Sequence, residues 1–84
     1  MEYQYIEIKR QVVESSNVAS LGYRDDLKIM ALEMLNGVIY YYLDIPKKHF
    51  NEMTNPNGDG ICHPSIGSYL HRNVKGNYRY VRIN

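Results

Sequence analysis

Cys62 and His63 stand side by side in the chain, and a thiolate forms at neutral pH only beside a base such as imidazole, so the pair invites a nucleophilic reading. Adjacent side chains project apart, however, and no cysteine-enzyme motif surrounds them, so catalysis is not expected there. His49, His63 and His71 occur at separations that match no zinc or helical di-histidine signature, and surface or capping histidines are the expectation instead of a metal site. Asn55-x-Asn57-x-Asp59-Gly60 looks like the opening of a calcium loop, but Ile66 stands where the bidentate Glu is needed and Pro56 and Pro64 intrude. A solvated turn fits better. Neither a phosphate-cradling glycine loop nor a Gly-x-Ser-x-Gly elbow is present. The sequence therefore predicts a non-enzyme without cofactor or metal.

The pattern that can do something is basic and aromatic. All nine acidic residues precede Gly60, while Arg72, Lys75, Arg79 and Arg82 follow it among Tyr69, His71, Tyr78 and Tyr80. Cations neutralise phosphates and tyrosine faces stack on unpaired bases, the combination that single-stranded nucleic-acid binders use. The alternative is that these rings pack on a sheet while the Arg heads reach water. Both readings stay open for Tyr69, Arg72, Lys75, Tyr78, Arg79 and Arg82.

The elements that position these residues follow from composition and period. With 84 residues, 44% of them hydrophobic, the chain has room for one core. No apolar run is long enough to span a membrane, and the N-terminus shows no secretory pattern, so a soluble cytoplasmic protein is expected. The single cysteine excludes an internal disulfide. Nine tyrosines against one phenylalanine and no tryptophan suit surfaces that are half buried or meet a partner. Asn36-Gly37, between 27–35 and 38–45, predicts a hairpin with a type I′ turn. Period-2 alternation along the second strand sets Ile39, Tyr41, Leu43 and Ile45 on one face, the expected core, and Tyr40 and Tyr42 together on the other. Residues 3–10 and 18–23 alternate as further strands. Pro46 opens a short helix over 47–53, Ser65 caps a second that Gly76 stops, and 78–83 reads as a last strand. The expected fold is α+β, an antiparallel β-meander with a central hairpin and one or two short helices packed on it.

Set in order, these pieces resemble the KTSC family, a small domain found at the C-terminus of some lysyl-tRNA synthetases and as free-standing bacterial and phage proteins. Ser15-Ser-Asn-Val-Ala-Ser-Leu-Gly-Tyr23 is similar to the family's opening, Gly37-Val-Ile-Tyr40-Tyr-Tyr42 to its Tyr-x-Tyr centre, Ile45-Pro46 to its Val-Pro, and Ser65-Ile-Gly67-Ser-Tyr69 to its closing Ser-x-Gly-x-aromatic signature. The likeness covers about residues 13–80. It implies a single domain over 1–84 with an extra N-terminal strand at 1–12 and a longer loop at 54–64. It makes Tyr40, Tyr42, Gly37, Ser65 and Gly67 structural motif residues; the tyrosine pair either attaches the helices to the sheet, which the scarcity of other large residues favours, or forms a binding platform. The family's attachment to a synthetase implies RNA as a ligand. The alternative is a phage or mobile-element accessory protein that binds a host protein through a tyrosine-rich surface.

Overall fold

The structure, a computed structural model, describes residues 2–84. The alternating segments become five strands, β1 (Arg10–Val12), β2 (Val18–Arg24), β3 (Ile29–Met34), β4 (Ile39–Tyr42) and β5 (Tyr80–Arg82), in one sheet of order β1-β2-β3-β4-β5. Every neighbouring pair is antiparallel. Helices α1 (Lys47–Thr54) and α2 (Ile66–Asn73) lie between β4 and β5 in the chain and cover one face of the sheet. The fold is the α+β meander expected.

The predicted hairpin forms, with a different turn. Gly37 donates its amide to the Met34 carbonyl at 3.0 Å, and Met34 donates to the Val38 carbonyl at 2.9 Å. Gly37 has φ 90°, whereas Asn36 is not in the left-handed region. Leu35-Asn36-Gly37 is thus a three-residue loop, a type I turn closed by a left-handed glycine, in place of the type I′ turn. Asn36 contributes its side chain instead of a positive φ, Oδ1 accepting the Val38 amide at 3.1 Å.

Two sheet faces carry separate apolar clusters, and the larger is on the opposite side from the one the β4 alternation suggests. Beneath the helices, Val18, Leu21, Met30, Leu32, Tyr42 and Ile45 meet Met53, Ile66, Leu70 and Val74. The Ile39, Tyr41 and Leu43 side forms a smaller cluster with Ile8, Ile29 and Ala31. Ile45 departs from its alternation partners because Asp44 adopts φ 53°, which swings the chain and drops Ile45 under the helices. Helix placement decided which face became the main core, and alternation in β4 carries no information about that.

The N-terminal strand expected over 1–12 is mostly something else. Tyr3–Tyr5 is a 3-10 turn and only Arg10–Val12 pairs, with β2; Met1 lies outside the described residues. Between these, residues 6–9 form a strap over the smaller cluster, where Ile8 is buried and the Ile6 carbonyl accepts the Tyr41 hydroxyl at 2.7 Å. A strap that presses every second residue onto a sheet shows the same period as a paired strand.

Candidate functional site

β4 and β5 set Tyr40 opposite Arg82 and Tyr42 opposite Tyr80 on the helix-bearing face. α2 ends at Asn73, and Gly76, at φ 84°, turns the chain away. The far end of this face is therefore left uncovered. A cleft of about 390 Å³ opens there, with Leu32 and Met34 at its floor, Tyr40, Tyr42 and Tyr80 as walls and Lys75 on the rim. The Tyr80 ring meets Tyr40 edge-on at 5.4 Å and Tyr42 at 5.5 Å, geometries that suit aromatic quadrupoles. Tyr80 is 58% exposed, Tyr40 is half-buried and Tyr42 is only 4% exposed. Burial first, then the neighbouring Tyr80 and Tyr40, raise the Tyr42 phenol above its usual pKa. No carboxylate lines the cleft.

The basic-aromatic tail does not stay together. Lys75 lines the tyrosine cleft, and Arg82 pairs opposite Tyr40 on the neighbouring strand, with its Nε donating to the Asn84 carbonyl at 2.6 Å. Arg79 is on the other face, 3.6 Å from Asp44, with both side chains about four-fifths exposed; such a pair contributes little. Arg72 lines a separate cleft of about 420 Å³ with Ser15, Ser16 and Ser65. Ser65 precedes α2 as expected but makes no side-chain cap; its amide donates instead to His63 Nδ1 at 2.9 Å. That bond leaves this nitrogen unable to serve Cys62 as a base. Gly67 is tight because a Cβ there would lie 3.3 Å from the Asn17 amide nitrogen, so the Ser-x-Gly motif lets α2 approach the β1–β2 loop. In the calcium-like loop, the Asn55 and Asp59 side-chain oxygens accept the Gly60 and Ile61 amides. Among the described residues no three His, Cys, Asp or Glu side chains gather as a metal-ligand set, and no helix is long and apolar enough to cross a membrane.

Tyr69 and Tyr78 serve a network that the sequence did not reveal. His49, on α1 and 8% exposed, has Nδ1 2.8 Å from the Tyr69 hydroxyl and Nε2 3.0 Å from the Tyr78 hydroxyl. A neutral imidazole donates through one nitrogen and accepts through the other, so the two hydroxyls satisfy it fully and tie α1, α2 and the approach to β5 together. Both rings are half-buried, whereas Tyr80 is 58% exposed; alternation over 78–83 puts Tyr78, Tyr80 and Arg82 on one face and does not separate them.

Burial lowers the His49 pKa, Lys48 adds to this, and Glu52 opposes it. The unfolded chain then takes up a proton near pH 6.5 that the folded protein refuses, so stability falls as pH drops from about 7 toward 5. Urea titrations at successive pH values are expected to show this decline, and His49→Gln is expected to flatten it; an unchanged slope in the variant would assign the effect elsewhere.

Known proteins resemble the chain along most of its length. The family model for the KTSC domain matches residues 14–78. A KTSC domain protein from Yersinia pestis, solved by crystallography, superposes with a TM-score of 0.75 at 26% identity, covering 93% of this chain and 100% of its own. A protein of Tsukamurella paurometabola is 29% identical over 73 residues, 87% of this chain and 98% of the relative. With Tyr40, Tyr42, Ser65 and Gly67 each in a defined structural place, the chain belongs to the KTSC domain family.

Proposed function

We propose that this protein is a non-catalytic module that binds single-stranded nucleic acid, RNA foremost, in the tyrosine cleft. The observation that carries the reading is the meeting of Tyr40, Tyr80 and Lys75 around one cleft without a carboxylate, with Arg82 opposite Tyr40 on the neighbouring strand. An unpaired base stacks on the exposed Tyr80 ring and lodges against Tyr40, while Lys75 and Arg82 neutralise the flanking phosphates. Duplex is excluded because its stacked bases do not present a free face to the rings. The two clusters of motif residues then divide the work: Tyr42, Gly37 and Gly67 shape the sheet and seat α2, and Tyr40 lines the surface they create.

Fluorescence anisotropy with short labelled RNA and DNA strands at low salt tests this directly. Saturable binding is expected, weakening as salt rises, with a slope that falls by about 0.7 for each phosphate contact removed in Lys75→Glu or Arg82→Glu. Tyr80→Ala, at an exposed position, is expected to cost about 1 to 3 kcal/mol of binding while leaving the melting temperature unchanged. Absence of saturable binding at every strand tried, together with a protein partner retained after nuclease treatment, would replace this reading with that of a host-protein binder.

A further inference from the structure

We propose that the free edge of β1 docks a second copy of this chain, in a two-fold antiparallel pairing centred on Val12. β1 is an outer strand of the sheet and pairs only with β2. Val13 donates its amide inward to the Ala19 carbonyl at 3.2 Å. By the alternation of an antiparallel ladder, Gln11 also turns its backbone groups to β2, whereas Arg10 and Val12 turn theirs to solvent. An edge of this kind is a template for another strand, limited here by the shortness of β1 and by the charge of Arg10.

The side chains along this edge are apolar where a partner would sit deepest. Val12 is 87% exposed and Ile61 67% exposed, and the two border a groove of about 360 Å³ with Val13, Cys62 and Pro64 and with the polar Glu14 and His63. Exposed large aliphatics are few in this chain, and two of them share this groove.

Charge selects both the partner and the register. Pairing about Val12 sets Val12 opposite the second copy's Val12, and Arg10 opposite the second copy's Glu14. Arg10 and Val12 already point their backbone groups outward, and continuing β1 by two residues in the pairing brings Glu14 opposite Arg10, so parity and charge agree on the same alignment. Arg10 is held in place by Nε donating to the Ser20 hydroxyl at 3.0 Å, and Ser20 in turn donates to the Glu33 carboxylate at 2.9 Å. Glu14 is exposed and makes no ion pair among the described residues. The opposite outer strand, β5, offers no such match. Its neighbourhood carries Lys75, Arg79 and Arg82, of which Arg79 faces Asp44, so two copies meeting there would bring like net charge together. Docking β1 on β5 would leave both outer edges free again and would propagate without closing. Only the β1 pairing closes.

The result is a continuous ten-stranded sheet whose two tyrosine clefts lie at its far ends, although the dimer itself does not depend on what those clefts bind. Pairing through so short a strand makes a small interface, which places the association at the weak end of specific complexes. Sedimentation velocity from micromolar to millimolar protein is expected to show a reversible monomer–dimer equilibrium, and exchange of the Val12 amide is expected to slow as the dimer forms. Val12→Lys places two cations across the axis, and Glu14→Arg sets Arg10 against a second cation. Each is expected to weaken association at least about tenfold, with thermal melts confirming the fold. The double change Arg10→Glu with Glu14→Arg restores the opposite-charge pairing and is expected to restore the dimer. Monomer at every concentration, a dimer indifferent to Val12→Lys, or failure of the folded double variant to recover association would each overturn the proposal.

Discussion

Tyr42→Ala is expected to destabilise the protein by about 3 to 4 kcal/mol, a large share of what a domain of this size has available. The ring is 4% exposed and belongs to the cluster that joins Leu32 and Met30 on the sheet to Leu70 and Val74 of the α2 region. Truncation opens a cavity beneath the helices, and the surrounding strands cannot collapse into it because they are hydrogen-bonded on both sides of β4. Tyr42→Phe separates ring from hydroxyl. The hydroxyl makes no hydrogen bond among the described residues, so the phenylalanine variant is expected to stay within about 1 kcal/mol of the parent. Tyr80→Ala, at a residue of the same type facing the same cleft, is expected to melt normally. Thermal or urea denaturation of the three variants checks the ordering. A Tyr42→Ala protein that melts like the parent would mean that the ring is a binding platform and not part of the core.

This contrast shows what the chain's pattern reveals and what it conceals. Asn36-Gly37 located the hairpin because turn chemistry is local, and Pro46 located the start of α1 for the same reason; Ser65 stands at the start of α2 as expected but without the side-chain cap that the expectation rested on. The order of the sheet follows from short connections between consecutive strands. Which face of β4 the helices cover is a tertiary choice; the left-handed Asp44 that sends Ile45 to the helix side is of a type that tolerates this region, but period-2 alternation ignores such a turn. The basic tail reads as one patch along the chain. In space it divides among the tyrosine cleft, the serine-lined cleft and the opposite face, because the end of α2, the turn at Gly76 and the pleat of β5 each redirect it. The His49 network was invisible for a different reason: its partners lie 20 and 29 residues away, and no local period links them.

The strap over the smaller cluster leads to the remaining large effect, which centres on Gly22. A Cβ built on this residue would lie 2.1 Å from the Lys9 carbonyl oxygen and 2.9 Å from its carbon, so the requirement is for space and not for an unusual φ. The obstacle is backbone, which cannot swing aside as a side chain does. Gly22→Ala must therefore lift the Lys9–Arg10 segment, and with it Ile8, which is 6% exposed and packs on Ile29, Ala31, Tyr41 and Leu43. Overpacking of about 1 to 3 kcal/mol and the partial loss of Ile8 burial, worth roughly 1.5 to 3 kcal/mol when complete, together predict a loss of about 3 kcal/mol or more. The tyrosine cleft lies on the other face, so nucleic-acid binding by the fraction that remains folded is expected to be unchanged. A double-mutant cycle isolates the cause. If the strap is what the methyl displaces, Ile8→Ala and Gly22→Ala cost less together than the sum of each alone, because a strap already lifted has no Ile8 burial left to lose. Strict additivity, or a Gly22→Ala protein as stable as the parent, would show that the strap does not rest on Gly22.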